Sequence, residues 1–160
     1  MNLEVKDVLV RKSIVVDAPQ AHVFDFFAEK HDLWWPRAHH IGSREKFTAV
    51  LEPRVGGRWF ERGDDGSECP CGRVLAWEPP DRVVFTWQIS GAWQFDPNPD
   101  HASEIEVLFV EDGPEQTRVE VEHRYFERLD GGQAIHDAIR SGGSWAVLLE
   151  SYAKTAANAR

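Results

Sequence analysis

The chain has 160 residues, 42% of them apolar and 11% aromatic, which suits one domain with a substantial core and excludes a disordered chain. Eighteen basic against 27 acidic side chains leave a net charge of −9, and no dense Lys/Arg run offsets it, which disfavours nucleic acid and anionic membrane surfaces as partners. The first 13 residues hold no unbroken apolar stretch and no later window reaches the length of a membrane span, so the expectation is a soluble, cytoplasmic protein with a single domain over 1–160.

Residues 8–17 read as a first strand, with Val10, Ile14 and Val16 among its apolar positions. Asp17-Ala18-Pro19 ends it and opens a helix, with Asp17 or Ala18 near the cap and Pro19 suited to the first turn. Over 20–29, Val23, Phe24 and Phe27 share one side of a short amphipathic helix, and a second short helix spans 31–35 and stops at Pro36. No period is clear from 36 to 46, a loop that holds the adjacent pair His39 and His40. Residues 47–51 are short and β-like, and Pro53-Arg54-Val55-Gly56-Gly57 is turn chemistry.

Strands then follow closely. Over 58–62, Trp59 and Glu61 lie opposite Arg58 and Arg62, and Asp64-Asp65-Gly66 is a hairpin signal. A strand over 71–78 ends at Pro79-Pro80-Asp81. The next, 82–89, places Val83, Phe85, Trp87 and Ile89 on one face, and a loop with Trp93 and Phe95 follows. Residues 103–110 set Ile105, Val107 and Phe109 against Glu104 and Glu106, while 117–125 set Val119, Val121, His123 and Tyr125 against Arg118, Glu120, Glu122 and Arg124. Such alternation predicts antiparallel strands with one wet and one buried face.

A weaker helical segment at 133–140 leads past Gly142-Gly143 into the terminal helix, placed at about 141–157. Its apolar stripe is Trp145, Leu148, Leu149, Tyr152 and Ala156, with Glu150, Lys154 and Asn158 on the opposite face. Together these elements predict an α+β fold in which a sheet holds the terminal helix.

Cys69 and Cys71 flank Pro70. On a strand they face one side with Cα atoms roughly 6.5–7 Å apart, the outer limit for a disulfide. Two thiols without neighbouring ligands form neither a disulfide scaffold nor a zinc site, so a reducing compartment fits and no metal or other cofactor is expected. His31, His39 and His40 do not complete a metal constellation either.

Several motifs occur in order. Pro19 with Val23-Phe24 and Phe27 precedes Leu33-Trp34-Trp35-Pro36, and Glu52-Pro53-Arg54-Val55-Gly56-Gly57 precedes Arg58-Trp59-Phe60. Gly72–Leu75, Glu78-Pro79-Pro80, Val84-Phe85-Thr86-Trp87, the segment 117–121, and Gly142, Trp145 and Leu149 complete the series. In these the chain resembles the START-like (SRPBCC, Bet v 1-like) superfamily, and within it the branch named for the C-terminal domain of the activator of Hsp90 ATPase. The resemblance implies a helix-grip fold: a curved antiparallel sheet wraps a long C-terminal helix, with two short helices after the first strand and an apolar cavity between sheet and helix. Members of the superfamily bind lipids, steroids or polyketides, and some cyclise or hydroxylate what they bind, so fold alone does not fix function.

The leading expectation is therefore a non-catalytic protein that binds a small hydrophobic molecule (lipid, polyketide or aromatic). Trp35, Trp59, Trp87, Trp93, Phe95, His123, Trp145 and Leu149 are expected to shape the cavity, with Glu61 and His123 as its polar groups. A carboxylate at an inward position needs a donor, a shifted pKa or a wet mouth. The bland alternative has His123 bonded to a core carbonyl and Glu61 paired with an arginine. An enzyme reading uses the same two groups for cyclase- or hydrolase-like work on an aromatic or polyketide substrate. A third reading, by analogy with the branch's namesake, is an Hsp90-interacting module. An exposed aromatic such as Trp93 would equally serve a homodimer contact. The sequence holds no Gly-rich phosphate loop, nucleophile elbow or helical metalloprotease motif.

Overall fold

Period-two alternation becomes seven antiparallel strands in a single curled sheet, in a computed structural model that describes residues 9–35, 41–141 and 144–159. Strand β1 (Val10–Val16) is followed by α1 (Gln20–Glu29) and α2 (His31–Trp34). Next come β2 (Phe47–Leu51), β3 (Arg58–Gly63), β4 (Glu68–Glu78), β5 (Arg82–Trp87), β6 (Ser103–Glu111) and β7 (Thr117–Arg124). A 3-10 turn (Phe126–Arg128) leads to α3 (Gly132–Ser141) and α4 (Ser144–Asn158). The strand order is β1-β7-β6-β5-β4-β3-β2, so the helical connection between β1 and β2 joins the two edges of the sheet. This is the expected α+β helix-grip fold.

The inner face follows the predicted register. Ile105, Val107 and Phe109 of β6, and Val119, Val121 and His123 of β7, are all buried and pair across the ladder. The outer face carries Glu104, Glu106, Glu122 and Arg124, with both Arg124 terminal nitrogens bonded to carboxylates at 3.0–3.3 Å. On α4, Trp145, Leu148, Leu149, Tyr152 and Ala156 are all buried, while Glu150, Lys154 and Asn158 are exposed. The helix lies along β1 and against α1 and α2.

Burial of aromatic rings holds the layers together. The ring of Phe27 on α1 lies 5.2 Å from Trp34, 5.7 Å from Phe109, 5.7 Å from Tyr152 and 6.1 Å from Phe85. One side chain thus bridges two helices and two strands, and its truncation to Ala would cost roughly 3–5 kcal/mol. Polar latches fix α4 in place: the Tyr152 hydroxyl donates to the Val23 carbonyl, Ser151 Oγ donates to Trp34 O at 2.7 Å, and His22 Nε2 bonds Ala156 O at 2.9 Å. Edge strand β2 is guarded as well, since Asp32 Oδ1 accepts the Ala49 N–H at 2.8 Å and occupies a donor that would otherwise template another strand.

Three local expectations change. Strand β4 begins at Glu68, so Pro70 and both cysteines lie within it. The pairing shifts between Trp59 and Phe60, which accommodates a residue with no ladder N–H. Strand β5 ends at Trp87, and Ile89 instead makes an isolated bridge to Phe95. Tyr125, assigned to the inner face by alternation, lies beyond β7 with φ 66° and is half-exposed. The left-handed backbone breaks the alternation there, and Arg128 covers the ring at 4.0 Å.

Gly72 explains part of the Gly-Arg-Val-Leu segment. A Cβ at that position would stand 2.0 Å from the Thr86 carbonyl oxygen, so the strands β4 and β5 meet there only without a side chain.

Candidate functional site

Inner-face positions on four elements place a row of rings across the interior. The ring of Trp35, just after α2, lies 5.5 Å from Trp59 on β3, which lies 5.8 Å from Trp87 on β5. Trp87 is 5.2 Å from His123 on β7, and His123 is 4.3 Å from Phe126 and 6.2 Å from Trp145 on α4. Trp35, Trp59, Trp87, His123, Trp145 and Leu149 are all buried. The structure thus gathers six of the nine expected site residues into one interior.

His123 is the polar centre of this row and is fully buried. An indole N–H can only donate, so Trp145 Nε1 donates to His123 Nδ1 at 3.3 Å and the ring proton resides on Nε2. That Nε2–H meets Ser103 Oγ at 2.7 Å, and Ser103 Oγ lies 3.5 Å from the Trp87 carbonyl oxygen. Burial, aided by the nearby His136, pushes the His123 pKa down to about 3, so the imidazole is neutral at physiological pH. A neutral, doubly bonded imidazole among indoles makes an apolar wall with fixed local dipoles, not a cationic site.

Glu61 is also buried, but its partners lie elsewhere. Its two carboxylate oxygens accept the backbone N–H groups of Ile41 at 2.8 Å and Gly42 at 3.0 Å. The donor it required therefore comes from the loop before β2, not from an arginine. Glu61 also borders a surface cleft of about 240 Å³ shared with Arg44, Ser67 and Cys69, smaller than the roughly 300–1,000 Å³ of ordinary ligand pockets. His123 does not line that cleft.

Trp93 and Phe95 sit on the loop between β5 and β6. Trp93 is 46% exposed, holds φ 59°, and meets Trp87 edge-on at 6.5 Å. It therefore stands outside the buried row, against Trp87 in its middle, where the expectation had it lining the interior. Phe95 is half-buried opposite Ile89. The loop docks on the chain after β7 at Gly91, whose N–H donates to Asp130 O at 2.7 Å; a Cβ on Gly91 would meet the Gly131 oxygen at 2.8 Å.

Pro36, His39, His40, Gly142 and Gly143 lie outside the described residues. Both Cys69 and Cys71 are free thiols, and burial and the Glu61 charge raise both thiol pKa values. Among the described residues, no helix is long and apolar enough to cross a membrane.

Sequence reasoning passed over Ser103, Phe126 and His136. Ser103 was legible, since it precedes Ile105 and Val107 at the same two-residue spacing. Phe126 was not, because it follows the left-handed Tyr125, where strand alternation has ended. His136 sits between Ile135 and Ile139 on α3, and all three are buried.

A curled sheet gripping a terminal helix over an aromatic interior is the helix-grip architecture of the START-like (SRPBCC) superfamily. Residues 17–155 match the model of the family "Activator of Hsp90 ATPase homolog 1-like protein". The chain belongs to that family. It is 43% identical to the anthrahydroquino-γ-pyrone synthase Txn09, with 86% of this chain and 90% of that one covered and a TM-score of 0.59. It is 32% identical to the self-sacrificing resistance protein CalC from Micromonospora echinospora, over 94% and 95% of the two chains, with a TM-score of 0.64. Protein MLL2253 from Mesorhizobium loti, at 19% identity and a TM-score of 0.63 over 92% and 95%, shares the fold. No curated protein matches the chain.

Proposed function

We propose that this protein binds a planar aromatic molecule of polyketide type between the sheet and α4. The observation that carries the reading is the row Trp35–Trp59–Trp87–His123, with Trp145 facing it from α4. Indole faces stack on flat polycyclic rings, and the neutral His123–Ser103 pair supplies oriented dipoles without an ionic charge to desolvate. Trp93 then acts from outside, against Trp87 in the middle of the row. The 43% identity to a protein named as an anthrahydroquino-γ-pyrone synthase supports a polycyclic aromatic over a lipid. The free thiols fit action in a reducing, cytoplasmic setting, and the match over 17–155 fits one domain.

The test is quenching of tryptophan fluorescence by 2,6-dihydroxyanthraquinone, read beside native mass spectrometry of gently purified protein. Saturable quenching is expected, weakened at least about tenfold in Trp87→Ala. Linear, unsaturable quenching in the wild type would remove the reading.

The same identity favours a second reading, a ring-closing enzyme. An ortho-hydroxyaryl 1,3-diketone closes to a γ-pyrone when the phenolic oxygen adds to the distal carbonyl and water leaves. Incubation with such a hydroxyanthraquinone diketone separates the two: closure faster than in buffer makes the protein a cyclase, and an unchanged rate leaves binding alone.

A further inference from the structure

His136 on α3 is only 3% exposed, yet it is not packed as an inert core residue. Its Nδ1 lies 3.0 Å from Asp137 Oδ1, and that same oxygen accepts Gln133 Nε2 at 2.9 Å. Hydrogen bonds from His136 and Gln133 hold the Asp137 carboxyl below the usual carboxylate range, so it is ionised and can only accept. The Nδ1 nitrogen therefore carries a proton toward Asp137, and in the neutral imidazole Nε2 is the acceptor. That Nε2 is buried and has no hydrogen-bond partner among the described residues. A buried acceptor without a donor is destabilising, and native structures rarely keep one unless something outside the chain fills it.

The placement says what that something is. The His136 ring meets Phe126 edge-on at 5.2 Å, and Phe126 lies 4.3 Å from His123. His136 thus extends the interior row beyond His123, on the helix that precedes α4. His123 has no acceptor left for a ligand, because Trp145 already occupies its Nδ1. His136 is the histidine of the pair that can receive a proton donor.

We propose that His136 Nε2 accepts a hydrogen bond from a phenolic hydroxyl of the bound aromatic molecule. This rests on the reading of the protein as a binder of planar aromatics. It makes His136 the residue that distinguishes a hydroxylated ring from its ether, since an ether oxygen has no proton to give.

The experiment compares 2,6-dihydroxyanthraquinone with its dimethyl ether by fluorescence titration, in wild type and in His136→Phe. Wild type is expected to bind the dihydroxy probe about tenfold more tightly than the ether. In His136→Phe that gap closes. If both probes bind but wild type shows no gap, or the gap survives the substitution, the assignment of His136 is overturned while the binding reading stands. If neither probe binds wild type, the binding reading itself falls and this one with it. A readout that does not depend on the variant folding is the 15N resonance of His136 Nε2 in the wild type. It shifts with the dihydroxy probe and not with the ether; a resonance that stays put under saturating dihydroxy probe also overturns the assignment.

Discussion

Trp145 Nε1 donates to His123 Nδ1 across 3.3 Å, joining α4 to β7 through two side chains that are 3% and 0% exposed. This bond fixes the tautomer of His123, whose Nε2–H then donates to Ser103 Oγ. Neither partner has another group of its own kind within the bond, so losing either leaves a buried polar atom unsatisfied.

The first prediction concerns acid stability. Burial lowers the native His123 pKa to about 3, against an ordinary value of 6.5. Between those pH values the unfolded chain binds a proton that the native state refuses, so stability is full above pH 6.5 and declines as pH falls toward 3. The loss is on the order of a few kcal/mol by the bottom of that window. Urea midpoints at pH 7.5 and 4.5 check it: the drop should shrink in His123→Phe, and an equal drop in both proteins would assign the acid limb to other groups.

Glu61 predicts a local effect. Its carboxylate holds the N–H groups of Ile41 and Gly42, so Glu61→Ala leaves two donors without an acceptor and costs roughly 1–3 kcal/mol. Hydrogen exchange at these two amides should accelerate well beyond the change at β6 and β7. Unchanged protection of Ile41 and Gly42 would show that the clamp does not hold the loop.

Gly72→Ala should be among the most damaging single substitutions in the sheet. The new methyl would stand 2.0 Å from Thr86 O, and because that atom is backbone, relief requires β4 and β5 to separate. The expected loss is about 3 kcal/mol, at the upper end of overpacking penalties. A melting temperature within two or three degrees of wild type would contradict the geometry, about 1 kcal/mol being worth several degrees at this size.

The thiols give a chemical test. Burial pushes the Cys71 thiol far up, and burial and the Glu61 charge raise Cys69 less completely. Iodoacetamide at pH 8 should leave Cys71 unmodified in native protein and label Cys69 more slowly than a free cysteine. Rapid double labelling by mass spectrometry would mean that β4 opens readily.

Much of the fold was legible because most strands of the sheet bury one face; β5 departs from this, with Val84 and Thr86 buried on the face opposite Val83, Phe85 and Trp87. Period-two alternation identified Ile105, Val107, Val119 and Val121, and the helical stripe identified Trp145, Leu149 and Tyr152, all buried as expected. The inward register of Trp59, Trp87 and His123 came from the same rule. Alternation misled on β5, where Val84 and Thr86 are buried although the pattern placed them on the wet face, and again where the backbone left the extended region. Tyr125 at φ 66° turned outward, and nothing in a pattern of side-chain polarity reports a change of backbone hand.

What the sequence determined by itself was therefore which faces avoid water, and from that the sheet, the gripped helix and the aromatic interior. What only the tertiary structure decided was the partner of each buried polar group. Glu61 meets the amides of a loop 19 and 20 residues earlier, His123 meets Ser103 20 residues away and Trp145 22 away, and His136 Nε2, behind Phe126, has no hydrogen-bond partner among the described residues. Burial is a property of one residue's spacing along its own element and can be read locally. A hydrogen bond needs two groups at a set distance and angle, and chain segments far apart in sequence supply them only once the sheet has curled.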